Sequence, residues 1–353
     1  MVERKMEKSM EEMDLEYIAN SDLEWSKYKN KTIFVTGATG LIGSLLVKAF
    51  AYYNCLHQGN IKIIGLIRNE EKAKRIYGKW YNNYGIHLMI GDIEQIPVIA
   101  GDVDYIFHTV SITASKMMVH PVLTIQTSYM GTKNVLDLAV DKKIEGMVYV
   151  SSMEVYGIPD EKKEYITEKD LGYIELENVR SSYSEGKRIC ECLCNAYTAE
   201  FGLPVKSARL AQTFGAGVLQ EDNRVYAQFA RSAMKKENLV LRTDGSSEGN
   251  YCYTRDVIRA LLLLGYSGKV GEAYNVVNEK SHMTIREMAE LVANDVSNGE
   301  IKVEFDIPDE AKSLGYAPKV KMHLSSEKLN KLGWKAEVDM KEAYLRMMND
   351  MEA

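Results

Sequence analysis

A tyrosine and a lysine four residues apart, with a serine upstream, have the chemistry needed to move a proton. Tyr183 and Lys187 lie in a predicted helix over residues 183–200, and residues four apart on a helix share a face. An ammonium group beside a phenol favours the phenolate, which a general base near neutral pH requires. Ser152 could bind the same substrate hydroxyl. A Tyr-x-x-x-Lys spacing alone is common on helices, so its meaning depends on the elements that position it.

The strand before Ser152 belongs to a regular alternation of strands and helices. An apolar run at residues 147–150, bounded by Gly146 and Ser151, predicts a short buried strand. Such alternation predicts an α/β protein with a Rossmann-type, doubly wound parallel sheet and right-handed crossovers. The other predicted strands of this sheet are residues 31–35, 61–67, 87–90, 105–108 and 205–210.

A glycine-rich turn follows the first strand and leads into a helix predicted over residues 44–53. Gly37, Gly40 and Gly43 are spaced G-x-x-G-x-x-G, in the order strand, turn, helix that a dinucleotide-binding site requires. Gly37 permits the tight turn, Gly40 lets backbone approach a pyrophosphate, and Gly43 lets the helix pack close to the strand. The other cofactor-binding residues predicted in this turn are Thr39, Leu41 and Ile42.

Further cofactor contacts are predicted where the next strands end. Many NAD sites have an acid after the second strand, but this chain has Arg68 there. Arg68 could stack on adenine or bind a 2′-phosphate, so NADP stays open beside NAD. Asp92 is placed to reach the adenine amine. The remaining predicted cofactor contacts are Ile93, Thr109, Val110 and Ser111.

The composition is that of a globular protein, with 46% hydrophobic and 27% charged residues among 353. A formal net charge of −6 gives no electrostatic reason to expect nucleic acid or an anionic membrane as partner. No apolar run approaches the roughly 20 residues that a membrane span needs. The charged N-terminus lacks the apolar core of a signal peptide. We therefore expect a cytoplasmic protein.

The cysteines predict neither disulfides nor a metal site. Three of the five fall on one predicted helix, and no second cluster of zinc ligands accompanies them. We expect all five to be buried, reduced thiols, which fits a cytoplasmic protein. They are Cys55, Cys190, Cys192, Cys194 and Cys252.

The chain divides into three predicted parts. Residues 1–30 form a helical extension, and residues 31–208 form the NAD(P)-binding Rossmann domain. Residues 209–353 form a smaller, mixed substrate-binding domain, part of which, about 250–265, returns to the Rossmann domain. The smaller domain is expected to cover the carboxyl ends of the strands, where open α/β sheets bind ligands.

Four motifs together resemble the extended short-chain dehydrogenase/reductase family of nucleotide-sugar epimerases, dehydratases and decarboxylases. The resemblance covers about residues 31–350 and implies a tightly held NAD(P)+ that oxidises the sugar, usually at C4, and is restored within the same turnover. The motifs are residues 36–43, Gly91-Asp92-Ile93, Ser151-Ser152-x-x-Val155-Tyr156-Gly157 and Tyr183-x-x-x-Lys187.

The resemblance also implies roles and an assembly. Tyr183 would remove the hydroxyl proton as hydride leaves to the nicotinamide. Lys187 would hold the nicotinamide ribose, and Ser152 would position the hydroxyl. The family pairs the helices predicted at residues 121–140 and 183–200 into a four-helix homodimer interface. Apolar residues on more than one face of these helices support this, namely Leu123, Val135, Leu136, Leu138, Ile189, Leu193 and Ala196.

Glu154 is the position that best separates the reactions of the family. Simple 4-epimerases usually have a small neutral residue there, whereas dehydratases and UDP-glucuronate decarboxylases tend to have Glu. Once C4 is a ketone, a carboxylate can remove the acidic C5 proton. Met153 stands where dTDP-glucose 4,6-dehydratases have an acid, which counts against that reaction. Tyr183-Ser184-Glu185-Gly186-Lys187-Arg188 is similar to the decarboxylase version of its motif, although Glu154 could also be a structural carboxylate.

Three departures from the family pattern affect the substrate-binding residues. Gln212 stands where the family has Asn, and Ala216 where Pro is usual. Residues 246–251 lack the Arg that the family uses to grip the substrate pyrophosphate. Three other arginines are candidates to replace it, namely Arg224, Arg242 and Arg255.

The favoured function is a nucleotide-sugar decarboxylase or dehydratase acting through a transient 4-keto sugar, in polysaccharide biosynthesis. The alternatives are a nucleotide-sugar 4-epimerase and an NADPH-dependent keto-sugar reductase, which Arg68 supports. A catalytically silent NAD(P)-binding regulator is a third hypothesis, against which the intact Ser152, Tyr183 and Lys187 argue. The predicted substrate contacts are Met153, Gln212 and Arg224.

Overall fold

The structure is a computed structural model that describes residues 8–111, 119–307 and 321–352. Within these ranges the strands, in chain order, are β1 (Thr32–Thr36), β2 (Lys62–Ile67), β3 (Ile86–Ile90), β4 (Tyr105–His108), β5 (Gly146–Ser152), β6 (Val205–Leu210), β7 (Gln212–Phe214), β8 (Leu239–Leu241), β9 (Glu248–Tyr253), β10 (Ala273–Val276), β11 (Asn278–Thr284) and β12 (Val303–Phe305).

The α-helices of the same ranges are α1 (Met10–Ala19), α2 (Leu41–His57), α3 (Glu70–Tyr77), α4 (Pro121–Lys142), α5 (Ser181–Phe201), α6 (Val225–Met234), α7 (Thr254–Tyr266), α8 (Ile285–Leu291), α9 (Glu327–Asn330) and α10 (Met340–Glu352). A π-helical turn at Val292–Val296 continues α8, and short 3₁₀ turns lie at Trp25–Lys27, Gly78–Trp80 and Met153–Tyr156.

Seven parallel strands of the described chain form the large sheet, in the order β10-β6-β5-β4-β1-β2-β3. The strand order reverses between β1 and β4, and open α/β sheets bind ligands at the carboxyl ends of the strands at such a point. The predicted doubly wound fold is therefore confirmed. The seventh strand, β10, was not predicted, because it is only four residues long and includes Asn275.

The alternation of side chains along β5 shows how the sheet is covered on both faces. Met147 and Tyr149 pack with α4 and α5 in one apolar cluster. Val148 and Val150 point to the opposite face and pack with α2 and α7. Successive side chains of a strand alternate between faces, so a continuous apolar run indicates a strand buried on both sides.

The smaller unit is built around a mixed three-stranded sheet. Its order is β11-β9-β7, with β7 parallel and β11 antiparallel to β9, and β8 and β12 form a separate parallel pair. Residues of α6, α8 and α10 complete its apolar core. Between β9 and β11 the chain passes back through α7, which packs on β5 and β6 of the large sheet. The domain boundaries given above stay a prediction.

Helix α1 lies at the junction of the two units and contacts α2, α7 and α10. Its apolar side is buried, with Leu15 and Ile18 each 1% exposed. Its Ser9 side chain caps the helix by accepting a hydrogen bond from the backbone N–H of Glu12. Asp14 is also buried, and accepts hydrogen bonds from Tyr253 at 2.5 Å and Arg346 at 2.9 Å.

Candidate active site

The glycine-rich turn forms a cradle that side chains would fill. Gly37 has φ +67°, a left-handed conformation that favours glycine. A Cβ on Gly43 would lie 2.3 Å from the carbonyl oxygen of Gly37, so helix and turn could not approach as they do. Gly40 is the N-cap of α2, which begins at Leu41, three residues before the predicted start. Gly40 is exposed, so the turn offers the amino end of a 17-residue helix to an anion, which fits a dinucleotide pyrophosphate.

The strand ends beside this turn carry the predicted adenine contacts. The Arg68 guanidinium lies 3.9 Å from the Asp92 carboxylate, with side chains 74% and 49% exposed. Both are therefore accessible to a ligand. Ile93 is different, because its side chain is 5% exposed and packs against Gly131 of α4. Its side chain is therefore not available to a cofactor, and its carbonyl already accepts a hydrogen bond from Asn134 at 3.1 Å.

A buried chain of hydrogen bonds fixes the carboxyl end of β4. His108 ends β4 and is hydrogen-bonded to Thr36 at 2.7 Å and to Thr132 at 3.1 Å. Burial, reinforced by the nearby Lys187 ammonium, lowers the pKa of His108 to about 3, so the imidazole is neutral at physiological pH. Thr109 is fixed beside it, because its hydroxyl donates to the Thr36 carbonyl at 2.7 Å. Val110 and Ser111 follow Thr109 at the open end of β4.

The structure brings Tyr183 and Lys187 together on α5 above the end of β5. Lys187 is 4% exposed, and its ammonium donates to the carbonyl of Val150 at 2.8 Å. The same ammonium lies 4.9 Å from the ring centroid of Tyr149 and 5.9 Å from that of Tyr183. The Tyr183 hydroxyl is 3.5 Å from the Ser111 hydroxyl. Tyr183 is only partly buried, so its phenol is accessible. Lys187, by contrast, is buried beneath it and fixed by its hydrogen bond to β5.

Two adjacent serines at the end of β5 face opposite environments. Ser151 is buried and donates to Glu191 at 2.5 Å, within an ion pair between Glu191 and Arg209. Ser152 is partly exposed, and its hydroxyl accepts from the backbone N–H of Glu154 at 3.2 Å. Strand alternation therefore directs Ser151 into the scaffold and Ser152 to the site, and the Ser152 cap begins the 3₁₀ turn that carries Glu154.

Glu154 is part of the 3₁₀ turn, and its carboxylate faces the beginning of α5. One carboxylate oxygen is 3.5 Å from the Ser184 hydroxyl, and the other is 3.6 Å from the Arg180 guanidinium. Its side chain is 35% exposed. The adjacent Met153 packs against the small apolar cluster that contains Val155 and offers no proton. Ser184 directly follows Tyr183, so the Glu154 carboxylate lies close to the catalytic phenol. At this place it can serve as a proton donor, a proton acceptor or an orienting group.

Two arginines not predicted from the sequence hold the backbone around the site. Arg188 donates to the carbonyls of Val155 at 2.8 Å and Gly172 at 2.7 Å. Arg209 pairs with Glu191 at 2.7 Å and donates to the Tyr156 hydroxyl at 3.1 Å. A charged residue inside the buried strand β6 was the signal that could have found Arg209, since a buried charge is normally paired.

Of the arginines considered for the substrate pyrophosphate, Arg224 is the N-cap residue of α6. Its guanidinium lies 4.9 Å from the Tyr226 ring and pairs with Asp222 at 2.5 Å. Arg255 is excluded, because it is buried beside Asp14 and stacked 4.1 Å from the ring of Tyr17.

Two other residues considered for substrate binding lie on the surface. Gln212 is an exposed residue of β7, and Arg242 forms an exposed ion pair with Asp306.

The prediction of uniformly buried thiols was wrong for Cys55 and Cys192, which are exposed, although all five cysteines are free. Cys192 lies on α5, which presents one side to solvent.

Within the described ranges, no group of three or more His, Cys, Asp or Glu residues could hold a metal ion. In the same part of the chain, every helix is too short or too polar to cross a membrane.

Comparison with known proteins gives the family. The sequence profile of the NAD dependent epimerase/dehydratase family matches residues 33–277. UDP-glucuronic acid decarboxylase 6 of Arabidopsis thaliana is 30% identical over 94% of this chain and 92% of its own length. UDP-glucuronic acid decarboxylase 1 of Xenopus tropicalis is 28% identical over 96% of this chain and 80% of its own length.

Solved structures show the same fold. A UDP-glucuronic acid 4-epimerase from Bacillus cereus, in complex with UDP-glucuronic acid and NAD, aligns with a TM-score of 0.72 at 19% identity, over 91% of this chain and 99% of its own. A dTDP-glucose 4,6-dehydratase from Bacillus anthracis, in complex with NAD, aligns with a TM-score of 0.70 at 21% identity, over 91% and 96%. The family match and the 30% identical relative show that the chain belongs to the NAD dependent epimerase/dehydratase family, as an NAD-dependent enzyme that acts on nucleotide sugars.

Proposed function

We propose that this enzyme decarboxylates a UDP-hexuronic acid, with UDP-glucuronic acid as the first substrate to test. The observation that carries the proposal is the position of Glu154, which is held beside α5 by Ser184 and Arg180 while Met153 replaces a second acid. The similarity to UDP-glucuronic acid decarboxylases supports the same substrate. A dehydratase that needs an acid at Met153 is disfavoured, since a thioether cannot donate a proton.

The reaction begins with proton removal at the C4 hydroxyl. Ser152 orients this hydroxyl, and Tyr183 as phenolate takes its proton. The Lys187 ammonium, fixed on the Val150 carbonyl, stabilises the phenolate. NAD, when bound, accepts the C4 hydride and later returns it.

The carboxylate at C6 is then β to the C4 ketone. The C5–C6 bond breaks, CO2 leaves, and the bonding electrons move to C5 and the C4 oxygen as an enolate. Ser152 and Tyr183, now protonated, stabilise the charge on that oxygen. Glu154 orients the sugar or relays a proton from water to C5, and the hydroxide left behind combines with CO2 as hydrogencarbonate. After hydride return, Tyr183 gives its proton back to the C4 oxygen, so the side chains end as they began.

We also propose that the enzyme works as a homodimer through α4 and α5. Three apolar side chains in the first turns of α4 are exposed, Val122 at 77% and Leu123 and Ile125 at 47% each. Ile189 of α5 is 44% exposed. These residues support the predicted interface, whereas Val135 and Leu136 do not, since both lie fully buried in the core.

The test is incubation of the purified enzyme with UDP-, dTDP-, GDP- and CDP-sugars, including UDP-glucuronic acid, followed by mass spectrometry and CO2 detection. Decarboxylation releases CO2 from the hexuronate alone. Loss of water from any substrate would instead identify a dehydratase. A product of unchanged mass that differs at C4 would identify an epimerase, and either result would replace this proposal.

A further inference from the structure

We propose that Arg180 binds the C6 carboxylate of the substrate and so selects hexuronates over neutral hexoses. This inference rests on the proposed function and assigns the substrate's charged group to a residue of the same site. Arg180 directly precedes α5, one turn before Tyr183, whose backbone N–H donates to the Arg180 carbonyl at 3.3 Å. Its backbone is therefore fixed relative to the catalytic phenol.

The guanidinium of Arg180 has unused hydrogen-bonding capacity. Its polar contact among the described residues is Glu154, at 3.6 Å, which is longer than a hydrogen bond. The Arg180 side chain is 29% exposed, so this capacity faces accessible space. Arg188, which lies within α5, differs from Arg180, because its guanidinium donates to two backbone carbonyls at 2.8 and 2.7 Å. A guanidinium has five donors in a planar fork that matches a carboxylate.

The position is a poor one for a purely structural arginine. The amino end of a helix carries partial positive charge, so a cation there is unfavourable and an acid is favourable. The first turn of α5 contains no acidic residue to compensate. Glu154 supplies the compensating charge only at long range, and an ion pair this exposed adds little to stability. The position therefore suits binding better than folding.

A cation beside Glu154 would offset the charge of the substrate carboxylate. Ser152 and Tyr183 fix the C4 hydroxyl, and C5, which carries the C6 carboxylate, is bonded to C4. Glu154 lies two residues after Ser152, so the sugar carboxylate enters near a second anion. Two neighbouring carboxylates repel each other unless a cation bridges them. Arg180 already touches one of them and has donors left for the other.

The experiment measures ligand binding rather than turnover. Two NAD-loaded proteins are compared, the Tyr183→Phe variant and the double variant Tyr183→Phe, Arg180→Met. Each is titrated with UDP-glucuronic acid and with UDP-glucose. We expect Arg180→Met to weaken UDP-glucuronic acid about 10-fold or more, the effect of losing a charged hydrogen bond, and UDP-glucose less than about 2-fold. Arg180→Lys keeps the charge without the fork and is expected to lie between.

Lys169→Met is the matched control, because it removes one exposed cation from the same segment and is expected to change neither affinity. Equal weakening of both sugars, or no weakening of either, by Arg180→Met and Arg180→Lys overturns the inference. If the wild-type enzyme releases CO2 but Arg180→Met keeps the preference for the hexuronate, only this inference fails. If the wild-type enzyme releases no CO2 from UDP-glucuronic acid, the proposed function fails and this inference fails with it.

Discussion

Tyr183 is the side chain whose chemistry can be removed with least change in packing. Tyr183→Phe keeps the ring that lies 5.9 Å from the Lys187 ammonium but removes the proton acceptor. We expect turnover to fall by about 10²- to 10⁴-fold, the usual cost of losing a placed acid or base. Bound NAD, measured after denaturation, should remain at the wild-type level. Turnover within a few-fold of wild type would show that another group takes the proton.

Glu154→Gln separates the reactions that the family performs, because the amide keeps the shape of the carboxylate but cannot take a proton. A decarboxylase needs no base at C5 to lose CO2, so we expect slower turnover with continued CO2 release. A dehydratase would stop after C4 oxidation, and a 4-epimerase would keep substantial activity. Product masses and CO2 yield distinguish these outcomes. Unimpaired interconversion of C4 epimers at unchanged mass would contradict the proposed decarboxylation.

His108 should make the protein less stable in acid. Its folded-state pKa of about 3 lies below the ordinary value of 6.5, because burial and Lys187 disfavour the imidazolium. The unfolded chain therefore binds a proton that the folded chain does not. The contribution of His108 is fully present above about pH 6.5 and is lost towards pH 3, by about 1.4 kcal/mol per pH unit.

The measurement is the free energy of unfolding from pH 7.5 to pH 4.5 for wild type and His108→Gln. The amide can still bond to Thr36 and Thr132 but does not titrate in this range. We expect the wild-type slope to exceed that of the variant by about one proton. Parallel curves would show that His108 is charged, or open to solvent, in the folded protein.

At the scale of elements, regular patterns were the ones that the sequence could predict. The apolar run of β5 and the glycine spacing before α2 depend on neighbours along the chain, and both were predicted correctly. Strand β10 and the links from His108 to Thr132 and from Arg209 to Glu191 depend on residues brought together by the fold. The spacing of hydrophobic residues along the sequence gives no information about such contacts. The same reason explains why the sequence could not exclude Arg255 as a substrate contact, because its burial depends on Tyr17 of the distant helix α1.

Helix α1 is expected to stabilise the junction of the two units. It buries Leu15 and Ile18, and its Glu11 pairs with Lys48 of α2 at 2.6 Å. Two such apolar side chains contribute about 1.5–3 kcal/mol each when fully buried. Deletion of residues 1–20 should therefore lower the melting temperature by about 5 °C or more. Deletion of residues 1–7 is the control, and an equal melting temperature for both deletions would contradict this role.

At the scale of the whole molecule, the exposed apolar residues of α4 and α5 predict a dimer. Sedimentation at micromolar concentration should show a species of twice the chain mass of 40.0 kDa. Val122→Asp combined with Ile189→Asp should give a monomer, because a charge on each helix cannot be buried without a partner. Val240→Asp, at an equally exposed apolar residue of β8, should leave the dimer intact. A 40.0 kDa species alone for the wild type would exclude this assembly.

The late position of β10 in the chain constrains how the protein emerges from a ribosome. Strand β6 ends at Leu210, but its outer neighbour, Ala273–Val276, is synthesised more than sixty residues later. During that interval, the outer edge of β6 in the nascent chain has no neighbouring strand, and unpaired strand edges can pair with other chains. Chains that end between Leu210 and Ala273 would keep this open edge and would therefore be prone to aggregate. The same edge is a site where a chaperone could bind the growing chain.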